Sequence, residues 1–304
     1  MAVAAVVCVP SSAFAAGSGG TSAPAAGTPS AVPTGGTAPG AVAQTPPPRK
    51  RRRSTSRPSL ALFHVGARRF YDLGRPARVV FRIDARSTTV RVKLQVRRAG
   101  EVIRTIDLGD QTTGDDHSVS LTGREGGRLP EGTLQLRLTA RDARGRGLRA
   151  SGRASAVDNL GFYWHRFPLG GPFTYSGIDG EFGADRPGHV HQGQDLLAPE
   201  GTPVVAPRGG EVTTVAYQAG GAGHYVVLRA EGEDRSYVFM HQREGTVRVA
   251  KGQVVATGQR LADVGQTGAA SGPHLHFELW EGEWYGGGRA VDPLPELRRW
   301  DAWS

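Results

Sequence analysis

Strict alternation of apolar and polar residues is the feature of this sequence that most limits its fold. Apolar side chains occupy every second position of residues 90–97 and again of residues 134–141, and the positions between them are polar or cationic. Successive side chains of a β-strand point to opposite faces, so a period of two predicts half-buried antiparallel strands. Glycine and proline are abundant, at 44 and 20 residues, which favours turn-rich β structure and linkers. We therefore predict an all-β protein.

A chain of 304 residues suggests about two folded domains, and the composition divides this one into four parts. A short apolar run followed by Ala13-Phe14-Ala15 predicts a signal peptide over residues 1–16, with a disordered Ala-rich tail as the alternative. Residues 17–58 are rich in Pro, Ala, Gly and Thr and predict a disordered basic linker. Residues 59–157 contain at least five candidate strands and predict an Ig-like β-sandwich. The fourth part, residues 158–304, carries the candidate site.

Histidines dominate that candidate site. His274 and His276 are separated by one residue of a predicted strand, so both imidazoles lie on one face. A second segment contributes His191 and Asp195, which can complete a coordination sphere. The sole cysteine is Cys8, so a Cys-based metal site and a disulfide framework are both excluded. Three nitrogen and oxygen ligands with one open position are typical of a catalytic zinc.

Three segments in the same half together resemble the signatures of the M23 (lysostaphin/LytM-type) zinc metallopeptidases. They are His191-x-x-x-Asp195, Tyr237-Val-Phe-Met-His241 and Ser271-Gly-Pro-His274-Leu-His276-Phe-Glu278. The resemblance covers about residues 160–295, with the segments in the family's order and spacing. It implies an antiparallel β domain with a groove, and the peptide part of peptidoglycan as the substrate.

The resemblance also implies roles for individual residues. The zinc ligands fall on His191, Asp195 and His276, and the two catalytic histidines fall on His241 and His274. An additional histidine, His189, precedes the first ligand, but the pattern His-x-Gly-x-Asp is satisfied by His191 alone. For the tyrosine that some members place above the metal, Tyr175 is a candidate.

Hydrolysis at such a site requires functional groups besides the metal, and the two histidines that are not ligands can supply them. Zinc lowers the pKa of bound water toward neutrality and polarises the scissile carbonyl, but hydrolysis also requires a base, an acid and an oxyanion contact. We assign these roles jointly to His241 and His274 and leave their division open. Glu278 lies two residues beyond His276 on the same strand face. It is either a carboxylate that orients an imidazole or a solvent-facing residue.

Charge differs strongly between the two halves of the chain. Residues 1–157 hold 25 Lys and Arg against 10 Asp and Glu, whereas residues 158–304 hold 12 against 18. One interpretation is that the basic half, including residues 49–53, docks to anionic cell-wall polymers. The alternative is that the asymmetry is merely compositional. Export argues against nucleic acid as a partner, and the N-terminal apolar run is too short to be a transmembrane span.

Together these features predict a secreted zinc metalloendopeptidase of the cell envelope that hydrolyses stem-peptide or cross-bridge bonds of peptidoglycan. The first alternative is a non-catalytic wall-binding regulator that activates another cell-wall hydrolase, and the complete set of candidate ligands argues against it. The second is a zinc peptidase that acts on other Gly-rich proteins.

Overall fold

The fold was obtained as a computed structural model, which describes residues 9–10, 57–150 and 155–304. Apart from residues 9–10 and 57–58, the predicted signal peptide (1–16) and basic linker (17–58) lie outside the described residues. The described chain is nearly all β, which confirms the predicted fold class.

Two five-stranded sheets form the N-terminal half. Their strands are β1 (Val9–Pro10), β2 (Ser59–Val65), β3 (Arg69–Tyr71), β4 (Ala77–Asp84), β5 (Thr89–Arg98), β6 (Glu101–Thr112), β7 (His117–Leu121), β8 (Gly132–Arg141), β9 (Arg149–Ala150) and β10 (Val157–Tyr163). The first sheet has the order β1-β7-β4-β2-β9 and the second the order β3-β10-β8-β5-β6.

One hydrophobic core lies between these two sheets. Leu60 and Phe81 of the first sheet and Leu94 and Leu136 of the second belong to the same buried cluster. The two segments with strict alternation are confirmed as strands β5 and β8, and their apolar positions are the buried ones. The Ig-like assignment of this half remains a prediction.

Strand β10 bears on where the N-terminal half ends. It pairs antiparallel with β8 and parallel with β3, and both partners belong to the N-terminal half. The predicted domain boundary, between residues 157 and 158, falls inside this strand. By its hydrogen bonding, the N-terminal half therefore continues to Tyr163, and we propose this as the division between the two parts.

A large antiparallel sheet organises the C-terminal half. The elements are β11 (Thr174–Tyr175), a 3-10 helix (Ile178–Gly180), β12 (Asp185–Arg186), β13 (His189–Val190), β14 (Gln194–Leu197), β15 (Pro203–Val205), β16 (Gly210–Gln218), β17 (Gly223–Ala230), β18 (Arg235–Gln242), β19 (Val254–Val255), β20 (Arg260–Asp263), β21 (His274–Glu281), β22 (Arg289–Val291) and α1 (Leu294–Asp301). The sheet order is β11-β14-β21-β18-β17-β16-β19, with β22 beside β21. Strands β12 and β13 form a separate two-stranded ribbon, as do β15 and β20.

Strand β21 lies inside this sheet and separates the core from the candidate site. Leu275, Phe277 and Leu279 belong to the main hydrophobic cluster of this half. The alternate residues, among them His274 and His276, therefore point to the opposite face. Helix α1 packs Leu297 and Trp300 against the same core.

A buried ionic network joins the two halves. Asp72 of the N-terminal half is fully buried and accepts hydrogen bonds from Arg124 Nε at 2.6 Å and from Arg208 Nη2 at 3.2 Å. Arg208, of the C-terminal half, is itself almost fully buried. Burial opposes ionisation of Asp72, but its bonds to the two arginines outweigh burial and hold the pKa of the carboxyl below its ordinary value. The Tyr163 and Trp303 rings stack across the same interface, with centroids 4.8 Å apart.

Within the described parts of the chain, no helix has both the length and the apolar character needed to cross a membrane.

Candidate metal centre

Two neighbouring strands and the segment before one of them position the candidate ligands. Strands β14 and β21 pair antiparallel with Asp195 directly opposite His276. His191 lies four residues before Asp195, and between them the backbone at Gly193 passes close to β21. A Cβ at Gly193 would lie 2.5 Å from the Phe277 carbonyl oxygen and 2.8 Å from His276 Nε2. Glycine therefore lets the chain pass close enough to β21 for His191 to reach the same point as Asp195 and His276.

The three predicted ligands converge. His191 Nε2 lies 2.9 Å from His276 Nδ1, and Asp195 Oδ1 lies 3.0 Å from His276 Nδ1 and 3.2 Å from His191 Nε2. Both imidazoles are buried, and the carboxylate is partly buried. Among the described residues, these three form the group of His, Cys and acidic side chains able to hold a metal ion.

Hydrogen bonds on the far side of each imidazole settle which nitrogen faces the centre. His191 Nδ1 donates to the Glu181 carbonyl oxygen at 2.8 Å, and His276 Nε2 donates to Glu278 Oε1 at 3.1 Å. The inward nitrogens are His191 Nε2, which carries a lone pair, and His276 Nδ1, which offers one when a metal replaces its proton. Because these atoms and the carboxylate oxygen lie about 3 Å apart, they require a positive charge between them, from a proton or a metal cation. The donor set of two imidazoles and one carboxylate therefore fits a transition-metal cation.

The acid–base properties of the cluster agree with this preference for a cation. For His276, burial opposes a positive charge, but hydrogen bonds with Asp195 and Glu278 outweigh it and raise the pKa to about 9. For Asp195, burial favours the neutral acid, but hydrogen bonds with His191 and His276 dominate and hold its pKa far below the ordinary range. The centre therefore stabilises positive charge at the point where the three side chains meet.

Glu278 is buried, and both of its carboxylate oxygens have partners. Oε1 accepts from His276 Nε2 at 3.1 Å, and Oε2 accepts from Trp280 Nε1 at 2.7 Å. Of the two interpretations of Glu278, the solvent-facing one is wrong, because the residue is 3% exposed and the Trp280 side chain lies against its carboxylate. The carboxylate lies where it orients the imidazole of His276.

The two predicted catalytic histidines lie beside the centre. The rings of His241 and His274 have centroids 4.7 Å apart, and His274 Nε2 lies 3.7 Å from Asp195 Oδ1. His241 Nδ1 donates to the Thr267 carbonyl oxygen and His274 Nδ1 to that of Gly272, each at 2.8 Å. In both rings Nε2 is therefore the atom free to accept a proton.

His241 is held in an uncommon conformation and in its neutral form. Its φ of 62° lies in the left-handed region, which is rare for a residue with a side chain and is enriched at functional sites. Burial, with a further contribution from the neighbouring His274, lowers the pKa of His241 to about 4. At neutral pH this imidazole is uncharged and is able to act as a base.

Two other sequence candidates do not join the cluster. His189 is exposed on β13, and its Nδ1 lies 3.3 Å from the Pro187 carbonyl oxygen. Tyr175 as the tyrosine above the metal is wrong, because it pairs with core residue Leu196 and packs edge-on against Phe167 and Phe173. Burial raises the pKa of Tyr175 to about 12.

Sequence reasoning missed two residues near the centre. Arg186 Nη2 lies 3.6 Å from Asp195 Oδ2. Tyr285 has a φ of 50°, donates from its hydroxyl to Gln192 Oε1 at 3.0 Å and packs on Trp280 with centroids 4.8 Å apart. Both come from loops or short ribbons that reach the centre through tertiary folding, so no local pattern in the sequence marks them.

An antiparallel β domain with two histidines and an aspartate converging beside two further histidines defines a candidate metal-dependent hydrolase. Residues 189–293 match the model of Peptidase family M23, so the chain carries a peptidase family M23 domain. M23 is a family of metallopeptidases.

Several curated relatives match parts of the chain. An uncharacterised metalloprotease of Haemophilus influenzae is 37% identical over 193 residues, which cover 62% of this chain and 36% of the relative. The peptidoglycan DD-endopeptidase ShyA of Vibrio cholerae is 38% identical over 89 residues, which cover 29% of this chain and 20% of that protein. The chain thus spans well under half the length of these relatives.

Among solved structures, the catalytic domain of the antimicrobial peptidase lysostaphin from Staphylococcus simulans is similar at 26% identity. The superposition covers 41% of this chain and 92% of that domain, with a TM-score of 0.37.

Proposed function

We propose that the protein is a zinc metalloendopeptidase that hydrolyses peptide bonds of peptidoglycan, in the stem peptide or the cross-bridge. The observation that carries the proposal is the convergence of His191 Nε2, Asp195 Oδ1 and His276 Nδ1, with two further imidazoles beside them. His191, Asp195 and His276 would hold one zinc ion per chain. When bound in such a site, zinc lowers the pKa of a coordinated water and polarises a carbonyl.

The chain's own residues would supply the remaining chemistry. His241 is neutral at physiological pH, and its Nε2 is free to take a proton from water. His274 Nε2 is equally free and is the nearer of the two to Asp195. One imidazole would accept the proton and the other would donate to the carbonyl oxygen or the leaving amine, since peptide hydrolysis requires both kinds of contact.

Peptidoglycan as the substrate is supported by the relatives. ShyA and ShyB of Vibrio cholerae are named peptidoglycan DD-endopeptidases, and Mpg of Neisseria meningitidis is named a DD-carboxypeptidase/endopeptidase. A lipoprotein of Escherichia coli, YgeR, is a further relative. These names, with the candidate signal peptide, support a place in the cell envelope after secretion.

The basic N-terminal half would add a docking surface for anionic wall polymers. The outward faces of β5 and β8 present Arg91, Lys93, Arg137 and Arg141. Part of this charge is already compensated, because Arg91 pairs with Asp107 at 2.9 Å. Attachment to walls through exposed charges would weaken as salt is raised, because screening acts beyond about 8 Å at physiological ionic strength.

Hydrolysis of purified peptidoglycan with and without zinc tests the proposal. The zinc-loaded protein should release soluble peptides, a chelator should stop the release, and added zinc should restore it. His276→Ala should be inactive, whereas His189→Ala is a matched control because that histidine is exposed and lies outside the cluster. A zinc-loaded protein that binds walls without cutting them would favour the regulator instead.

A further inference from the structure

We propose that Arg186 is an anion-binding specificity residue that recognises a substrate carboxylate next to the scissile amide. The inference rests on the proposed peptidase function and deepens it, because it selects among peptidoglycan bonds. It assigns the enzyme to stem-peptide cross-links that carry a free carboxylate, in preference to uncharged oligoglycine bridges.

The position of Arg186 follows from the ribbon that precedes the first ligand. Strands β12 and β13 pair with Arg186 opposite His189, and His191 follows two residues later. The Arg186 side chain approaches the cluster from this ribbon, and its Nη2 lies 3.6 Å from Asp195 Oδ2. The Arg186 side chain is 32% exposed, so it is partly accessible from solvent beside the candidate metal centre.

The contact with Asp195 leaves most of the guanidinium uncommitted. A separation of 3.6 Å is longer than a hydrogen bond. The one close contact that holds the side chain is a hydrogen bond from Nη2 to the Asp179 carbonyl oxygen at 2.5 Å. Guanidinium has five N–H donors in a planar fork suited to bidentate contact with a carboxylate. Among the described residues, both contacts of this guanidinium use Nη2, so most of its donors remain available.

The positive charge of the Arg186 guanidinium would lack a full counter-charge in the metal-bound protein. Asp195 is the acidic residue within ion-pair distance of Arg186 in the described structure. Once Asp195, His191 and His276 hold a divalent cation, Asp195 is shared between that cation and Arg186 and no longer neutralises the guanidinium by itself. The nearest other acidic residues along the chain, Asp179, Glu181 and Asp185, make no ion pair with Arg186 at up to 4.0 Å. A carboxylate on the substrate would supply the missing charge.

This requirement separates the two kinds of peptidoglycan bond. A stem-peptide cross-link can carry a free carboxylate on a residue that flanks the amide, whereas an amide inside an oligoglycine bridge is flanked by uncharged residues. Charged hydrogen bonds of this kind contribute roughly 1.5–3 kcal/mol, equivalent to about 10- to 100-fold in kcat/KM. Arg186 would therefore discriminate by charge, and Lys in its place would keep part of the effect without the bidentate geometry.

The test measures hydrolysis of three substrates by two Arg186 variants and one control variant. The substrates are a cross-linked stem peptide with a free carboxylate beside the scissile amide, the same peptide with that carboxylate amidated, and pentaglycine. Arg186→Gln should lose about 10- to 100-fold in kcat/KM on the carboxylate substrate and little on its amidated twin, and Arg186→Lys should fall between. Arg289→Gln is the matched control, since Arg289 is an exposed arginine of the same half that pairs with Glu281.

Two binding measurements keep this inference distinct from the proposed function. Calorimetry with the zinc-loaded protein should show weaker binding of a carboxylate-bearing product peptide to Arg186→Gln, with the amidated product unaffected. Chelator competition should show unchanged zinc affinity in that variant. Equal losses on both substrates, or a loss of zinc affinity that accounts for the effect, would overturn the inference and leave Arg186 as a support of Asp195. Absence of cleavage by the wild type would instead refute the peptidase, while the calorimetric comparison still decides the role of Arg186.

Discussion

Glu278 accepts a hydrogen bond from His276 Nε2 at 3.1 Å, while His276 turns Nδ1 toward Asp195 Oδ1 at 3.0 Å. One carboxylate thus holds an N–H at the outer nitrogen, and the inner nitrogen is available to a metal that replaces its proton. The second oxygen of Glu278 is held by Trp280 Nε1 at 2.7 Å, so the carboxylate itself cannot rotate freely. The sequence His-Phe-Glu-Leu-Trp carries this arrangement on alternate positions of one strand.

The first prediction follows from this relationship. Glu278→Ala should weaken zinc binding by about 10- to 100-fold, because the outer partner of a ligating histidine fixes its ring and raises its basicity. Competition with a chromophoric chelator measures the change. Glu244→Gln provides a control at an exposed position of the same half. Unchanged zinc affinity in Glu278→Ala would show that packing alone orients His276.

The second prediction separates catalysis from metal binding. His241→Ala and His274→Ala should keep zinc yet lose about 10²–10⁴-fold in kcat, since general acid–base groups contribute that much. His276→Ala should lose the metal itself. Zinc content by elemental analysis, measured beside peptidoglycan hydrolysis, distinguishes these outcomes. Normal turnover in His241→Ala would remove that residue from the mechanism and leave His274 with both roles.

A third prediction concerns the close approach at Gly193. Gly193→Ala places a methyl group 2.5 Å from the Phe277 carbonyl oxygen, so β14 and β21 must separate. We expect a loss of roughly 1–3 kcal/mol in unfolding free energy, as for overpacked interiors, together with weaker zinc binding. Gly220→Ala is the matched control, because a Cβ there meets nothing within 4 Å. Equal denaturant midpoints for the two variants would argue against the tight approach.

The ionic network between the two halves gives a fourth prediction, on stability and pH. Asp72→Asn leaves the buried Arg208 with Glu233, at 3.2 Å, as its remaining charge partner. The loss should therefore stay below the roughly 3–5 kcal/mol of a buried pair that is broken outright. The pKa of Asp72 is lowered in the folded state, so its contribution is fully present above the unfolded value of about 3.9 and is lost as the pH falls through the folded pKa. The stability difference between wild type and Asp72→Asn should therefore be constant near neutrality and shrink in acid.

Urea unfolding across this pH range measures the effect of Asp72. Asp234→Asn is the control, since Asp234 forms an exposed pair with Arg229 and such pairs contribute about 0–1 kcal/mol. A difference between wild type and Asp72→Asn that does not depend on pH would show that Asp72 acts through packing and not through its charge.

Some of this structure could be read from the sequence because short-range patterns determine it. The period of two in residues 90–97 and 134–141 marks β5 and β8 directly, and His274 and His276 share a face for the same reason. The spacing of His191, Gly193 and Asp195 corresponds to a physical requirement, which is the absence of a Cβ beside β21.

Other features depend on tertiary contacts and could not be predicted. Tyr175 was misplaced because the face on which a strand residue lies is set by register, and its partner Leu196 points into the core. The pairing of β10 with β8 and β3, on which the proposed division after Tyr163 rests, is not visible in local composition. Arg186 and Tyr285 reach the centre from outside the motif segments, and Asp72 meets Arg208 across 136 residues.

The most direct test of the central claim is mass spectrometry of peptidoglycan fragments released by metal-free protein before and after addition of one equivalent of zinc. Our account predicts new amino and carboxyl ends at a single type of peptide bond only after zinc is added, and none with His276→Ala under the same conditions. Zinc bound stoichiometrically by the wild type, with no new peptide ends in the fragments, would contradict it.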